Sequence, residues 1–329
     1  MTRRTGRGSA WLAVLVVAVA GCSASRPAAP EKPPPPPPLE KVTSFQIEVP
    51  ATKALPPVVG RPQAYRVRPK DTLLDIARDA GLGYRELQDA NPQVDQWVPT
   101  PDIDVDVPTQ WIVPRSRYRS IVVNVPEMRL YFFPKSTKPG QRVTMQTWAV
   151  SVGVDEEPSP IGRFHIRSKD KNPTWGVPDS IYKIMDKPKR RVVPPGPDNP
   201  LGKYRLRLSE GTYAIHGTNN PWSIGRQTTN GCIRLYPEDL EVFYPLVPVG
   251  AEAEFVYEPV KLGESGGQIY VEVHEDLYDR IKNLEEHALA LVKKADLSGR
   301  IDLKLLLEAV REKKGTPVVI SRPGAVAVR

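Results

Sequence analysis

Cysteine and histidine are scarce in this chain of 329 residues, which has two of one and four of the other. So few sulfurs exclude a disulfide-built scaffold, and no metal-ligand spacing is present. Glycine-rich nucleotide loops are missing, as is any Lys/Arg block interleaved with aromatics, so nothing points to nucleotide or nucleic acid. Long hydrophobic runs are lacking too. The longest, Trp11 to Ala20, falls short of the roughly 20 apolar residues a transmembrane helix requires. The charge excess is mild, 46 basic against 38 acidic side chains. The length admits two or three domains.

Proline is plentiful, 37 residues, and unevenly spread. The N-terminus has three Arg, the apolar run, and a small residue before Cys22, the layout of a secretory signal over 1–21. Its "VAGC" ending resembles a bacterial lipobox, which implies cleavage before Cys22 and lipidation of that residue. Ser23 rather than Asp follows, which by the same resemblance implies an exported lipoprotein in the periplasm, tethered to the outer membrane more than to the inner one. Cleavage removes Arg3, Arg4 and Arg7 and leaves 43 basic against 38 acidic side chains. Residues 22–60 include six consecutive prolines and read as a polyproline II spacer.

Residues 61–115 read as strand, two short helices and strand. In "DTLLDIARDAG" Leu73 or Leu74, Ile76, Ala77 and Ala80 share a face, with Asp71 or Thr72 as cap and Gly81 as stop. "GYRELQDANP" suits a second helix, and "QWIVP" the closing strand. The pattern Y-x-V-x-x-x-D-T-L-x-x-I-A resembles a LysM module, a binder of N-acetylglucosamine-containing glycans, with an acidic "PDIDVDVPT" where that family has a Gly-bearing turn.

From 119 to 258 the pattern is mainly β. Alternation in "SIVVNVPEMRLYFF" predicts a hairpin, further strands follow, and "PEDLEVFYPLV" alone suits a helix. After "LGESGGQ", residues 268–329 read as an α/β appendage. It has an amphipathic helix carrying Leu277, Ile281, Leu284, Ala288 and Leu291 on one face, a shorter helix capped by Asp302, and a last strand in "TPVVISR". A lid over the site is one role open to these helices. His165 reads as lining or solvent-facing, and His274 and His287 as surface residues.

The two scarce residue types meet in "YAIHGTNNPWSIGRQTTNGCIRL". His216 lies in an apolar strand-like run and Cys232 in a polar, Gly-bearing turn 16 positions later. With Cys22 lipidated, Cys232 has no partner in the chain. It is then either an inert structural thiol or a reactive one. A His within reach can deprotonate a thiol, and backbone N–H groups of a Gly-bearing turn can form an oxyanion hole.

"IHGTNNPWSIG…TNGCIRL", with "VVNVPEMRLYFF" and "SPIGRFHI" upstream, closely resembles the signature of the L,D-transpeptidases, the YkuD-type β-sandwich. The resemblance implies Cys232 as nucleophile, His216 as general base and the Gly231 backbone in the oxyanion hole. Thr229, Asn230, Arg234, Gly217 and Thr218 are the implied substrate-binding residues. The implied reaction forms a thioester with the carbonyl of the third peptidoglycan stem residue and releases D-Ala. An amine on another stem, a lysine of an outer-membrane protein, or water then resolves it. No metal or organic cofactor is implied. Asn230 stands where the family has His, which keeps a catalytically degenerate, tethered peptidoglycan-binding scaffold as the alternative.

Overall fold

The computed structural model describes residues 1–2, 38–135, 137–184 and 191–322. Cys22 and residues 3–21 of the signal segment fall outside the described residues, as do the first five of the six prolines, up to Pro37. The first elements among the described residues are β1 (Ser44–Glu48) and β2 (Val58–Gly60), so strands lie within 22–60, where an extended spacer is expected. A compact α/β unit follows: β3 (Gln63–Arg66), α1 (Leu73–Ala80), α2 (Tyr84–Ala90), β4 (Asp104–Val107) and β5 (Gln110–Ile112). Thr72 caps α1, its hydroxyl accepting from the Asp75 N–H, and Gly81 ends it in the left-handed conformation.

The strand that pairs with β3 is "DVDV", not "QWIV". Asp104 and Asp106 face solvent while Val105 and Val107 are buried, and Arg66 grips Asp104 across the pair at 2.8 and 2.9 Å. β5 pairs with β2 instead. The acidic residues that looked like a loop are the wet face of a two-sided strand.

The remaining elements are β6 (Ile121–Asn124), β7 (Arg129–Phe132), β8 (Arg142–Gly153), β9 (Gly162–Lys171), β10 (Trp175–Gly176), α3 (Asp179–Ile184), β11 (Val192–Val193), β12 (Tyr204–Leu208) and β13 (Ala214–His216). After them come β14 (Gln227–Thr229), β15 (Ile233–Leu235), α4 (Pro237–Leu246), β16 (Glu252–Val256), β17 (Val260–Ser265) and β18 (Gln268–Val273). The chain closes with α5 (Leu284–Lys294), α6 (Leu303–Glu312) and β19 (Val318–Val319).

Strands run in the order β1-β8-β15-β13-β12-β9-β16-β6-β7, and β7 also pairs with β8. The long strands β8 and β9 each serve two layers. The early part of β8 pairs with β1 and β7, and its end with β15. β9 pairs with β16 first and β12 later. Between the layers Ile121, Val123 and Leu130 meet Leu206, Ile215 and Ile233, with Phe243 of α4 closing the core.

Residues 121–124 are buried on both faces, so the expected alternation of "SIVVN" is not one of wet and dry. Val122, Tyr131 and Phe133 point away from the sandwich interior and join Leu73, Ile76, Leu87 and Val105 in a second core. The small α/β unit is therefore packed onto the outer face of the sandwich. Charges lock it there: Arg129 of β7, 1% exposed, binds both carboxylate oxygens of Glu86 of α2 at 2.8 Å and lies over the Trp111 ring.

β17, β18 and β19 form a third sheet, covered by α5 and α6 over their own core. The helix expected from residue 275 starts only at Leu284, where the Asn283 side chain accepts from the Glu285 and Glu286 N–H groups. Leu277 joins the sandwich core instead.

Candidate active site

One face of the β9-β12-β13-β15 layer supplies the core. The other is polar. Alternation along β12 (Arg205, Leu206, Arg207, Leu208) and through Ala214, Ile215, His216 sends every second residue away from the core. Register then aligns them: Asp170 opposite Arg205, Arg205 opposite His216, His216 opposite Arg234. Cys232 lies two residues before Arg234 and so on the same face. His216 therefore lies on β13 and Cys232 just before the neighbouring parallel β15, two register positions apart on the same face.

Both line a single cavity of about 560 Å³. Cys232 is half-buried and unpaired. Burial pushes its thiol above the ordinary value, against the pull of a hydrogen bond from the Ala214 backbone and of the nearby Arg234 and Arg205 charges. His216 is buried. That burial, and next the Arg234 cation, hold its imidazole down to about 3, opposed by its hydrogen bond with Gly217. Its Nδ1 lies 2.7 Å from the Gly217 carbonyl oxygen. A carbonyl only accepts, so Nδ1 carries the proton and Nε2 keeps the lone pair that a general base uses. Burial thus favours the uncharged form of both groups.

The turn that presents Cys232 is held from several sides. Gly231 has φ +84°, and a Cβ there would meet Tyr213 Cε1 at 2.6 Å; only glycine fits on both counts. Ser159 donates from its hydroxyl to the Gly231 carbonyl at 3.1 Å and accepts from the Gly153 N–H at 2.9 Å. Tyr278 in turn donates to the Gly153 carbonyl at 2.8 Å and accepts from the Ser159 N–H at 3.2 Å. Ser159 and Tyr278 carry no motif signal. Tyr278 in particular was hidden in a stretch that reads as helix.

The other sequence candidates divide. Thr229 lines the cavity but is buried, and its hydroxyl donates to the Cys232 carbonyl at 2.7 Å, bracing the turn. Asn230 is exposed at the cavity. Arg234 lines it with a buried Nε that has no hydrogen-bond partner. Gly217 serves through its carbonyl on His216. Thr218 is not brought to the cavity: it lines a separate depression beside Asn199 and Lys203, and its hydroxyl is tied to the Asn220 backbone. None of the lining residues comes from α5 or α6, so the helices form no lid. Sequence reasoning missed Arg167, Arg205 and Arg207, which also line the cavity.

Away from the cavity His165 is exposed, and His274 corrects the surface reading: it is buried, with Nε2 2.7 Å from Glu272 Oε1. Among the described residues Glu127, Glu272 and His274 are the group whose ligand atoms converge as metal ligands do. The Lys261 ammonium fills that role itself, 2.7 Å from Glu127, 2.8 Å from Glu272 and 2.7 Å from the Ile112 carbonyl. The cluster ties the third sheet to the sandwich.

The model of the YkuD family, the L,D-transpeptidase catalytic domain, matches residues 118–320, and so runs through the α5–α6 region. Over 274 residues the chain is 33% identical to the probable L,D-transpeptidase YbiS of Escherichia coli K12, covering 79% of this chain and 88% of that one. It is 32% identical over 290 residues to the probable L,D-transpeptidase ErfK/SrfK of Salmonella typhimurium, covering 82% and 92%. With the putative L,D-transpeptidase YkuD of Bacillus subtilis it shares 29% over 188 residues, 56% of this chain and 94% of the other.

Proposed function

The chain belongs to the L,D-transpeptidase family, which makes peptidoglycan its substrate, and from that premise we propose that it acts through a Cys232 thioester. The observation that carries the reading is one cavity shared by an accessible thiol and an imidazole whose Nδ1 is already committed to Gly217, leaving Nε2 free. In the first half-reaction Sγ bonds to the carbonyl carbon of the third stem residue and its proton passes to His216 Nε2. The carbonyl electron pair moves onto oxygen, toward the Gly231 and Cys232 backbone N–H groups. Collapse breaks the C–N bond, His216 returns the proton to the departing amine, and D-Ala leaves. In the second half an acceptor amine attacks the thioester, His216 takes its proton, the S–C bond breaks, and the thiol is re-formed. The acceptor is a neighbouring stem side chain or a protein lysine.

Because burial favours the neutral pair, proton transfer accompanies attack rather than preceding it. Asn230, at the cavity, has no proton to exchange and serves to orient substrate. Residues 61–115 act as a LysM module on the glycan strand, and lipidated Cys22 tethers the protein at the outer membrane. The opening of "VAGC" and the α1 signature support these two assignments.

Muropeptide mass spectrometry of cells carrying the chain or its Cys232→Ala form tests the reading. Loss of 3-3 cross-linked or protein-linked species with the variant is the expected result. Identical muropeptides, together with a folded protein whose Cys232 takes no carbapenem adduct, would leave only the peptidoglycan-binding scaffold.

A further inference from the structure

Four arginines, Arg167, Arg205, Arg207 and Arg234, line the catalytic cavity, and among the described residues no aspartate, glutamate or lysine does. Side chains on one sheet face are ordered by register, so their placement can be read strand by strand. Arg205 is directly opposite His216, and Arg207 opposite Ala214. The small Ala214 separates Arg207 from the strand that presents Cys232, a lane about two strand spacings wide, ~10 Å. Arg234 flanks His216 from the other side. The reacting pair therefore stands between Arg234 on one side and, on the other, a station that begins with Arg205 beside His216 and extends to Arg207 across the lane from Cys232.

That station is built, not incidental. A single oxygen of Asp170, Oδ2, accepts from Arg205 Nε at 2.8 Å and from Arg207 Nε at 3.2 Å. Holding both guanidiniums by Nε fixes their planes and leaves the paired Nη groups available, the geometry of a carboxylate fork. Arg205 keeps 15% of its side-chain exposure and Arg207 43%, so the outer one faces the lumen more fully. One carboxylate shared between two guanidiniums also leaves a net positive charge to be met by the ligand.

We propose that Arg205 and Arg207, set by Asp170, bind a carboxylate on the retained, acyl-donating part of the donor peptide, one to two residues from the carbonyl that Cys232 attacks. A residue of extended chain spans ~3.3–3.6 Å, and a long side chain adds several more, so such a carboxylate spans the lane. It stays bound through both half-reactions, because it does not depart with the leaving amine. This rests on Cys232 and His216 being the reacting pair, and it adds a specificity determinant that the thiol chemistry does not require.

The experiment uses the full chain and two synthetic donor tetrapeptides, one with the retained-side carboxylates free and one with them amidated. The wild type is expected to show a kcat/KM ~10- to 100-fold higher for the free acid, the range of a charged hydrogen-bonded pair. Arg207→Gln is expected to erase that preference by bringing kcat/KM for the free acid down toward that for the amidated donor, and Arg207→Lys to restore part of it. Equal losses on both donors, or none on either, would overturn the proposal. Calorimetric binding of the two peptides to the Cys232→Ala chain separates this from the catalytic reading. An affinity gap that Arg207→Gln abolishes upholds the carboxylate station even in a chain without turnover, whereas equal affinities sink it whatever the turnover assay gives.

Discussion

At the scale of single residues the site is a balance of burial against charge. The thiol is raised and the imidazole depressed, so burial favours the neutral form of both. Alkylation of Cys232 by iodoacetamide should therefore climb with pH and reach its midpoint above the ordinary thiol value. A plateau already present below pH 7, followed by adduct mass, would show a preformed ion pair. His216 also bears on stability. Its folded value of about 3 lies below its unfolded value of 6.5, so the unfolded state takes up the proton first as pH falls. The stabilisation is whole above 6.5 and is lost from there down toward 3, at about 1.4 kcal/mol per pH unit. Urea midpoints at pH 7 and pH 5 should separate more for the wild type than for His216→Asn. Gly231→Ala meets both a left-handed backbone and the Tyr213 ring. Its thioester burst should fall at least ~10-fold, following the general cost of misplacing a nucleophile, while far-ultraviolet dichroism stays unchanged. His216 and Cys232 were legible because their residue types are rare and the turn between them is polar. Arg205 and Arg207 were not: in "YRLRLS" they look like the solvated side of any half-buried strand, and only the neighbouring strands show that this side faces the thiol.

At the scale of elements the docking of α2 stands out. Its first turn approaches the loop before β14 so closely that the Tyr84 and Arg85 N–H groups donate to the Ile224 and Gly225 carbonyls. A Cβ on Gly83 would stand 2.6 Å from the Gly225 Cα. Glu86 adds its buried pair with Arg129. Removing one partner of such a pair leaves a buried charge uncompensated, so Glu86→Gln should cost about 3–5 kcal/mol, read as a shift in denaturant midpoint. The existence of α1 and α2 followed from apolar spacing and caps. Their docking did not, because it depends on Arg129, 43 residues away, and on backbone contacts that no side chain announces. β4 was misread for a related reason: Asp104 and Asp106 are loop-forming types, and the alternation with Val105 and Val107 spans only four residues. The start of the helix expected to carry Leu277 rests on periodicity alone, which is blind to the pull of the sandwich core on that residue.

At the scale of the whole molecule the small α/β unit and the sandwich share one apolar core across Val122, Tyr131 and Phe133. The small unit has no interior apart from that shared one. Denaturant unfolding followed by tryptophan fluorescence should therefore coincide with that followed by dichroism for residues of both parts, since Trp111 sits in the shared core and Trp148 in the sandwich. Two separated transitions would contradict the shared core. The mainly β character of 119–258 was legible from strand-like runs. The way β8 and β9 bend to serve both layers was not, because pairing partners lie far apart in sequence.

The hydroxyl of Tyr278, which steadies Ser159 and through it Gly231, belongs to a part of the polypeptide made after every strand of the sandwich. A chain shortened to before that point would own its sulfur and its imidazole yet lack one of the braces on the bend between them. The shape of the turn around the sulfur is thus completed by a side chain that lies 46 positions beyond it.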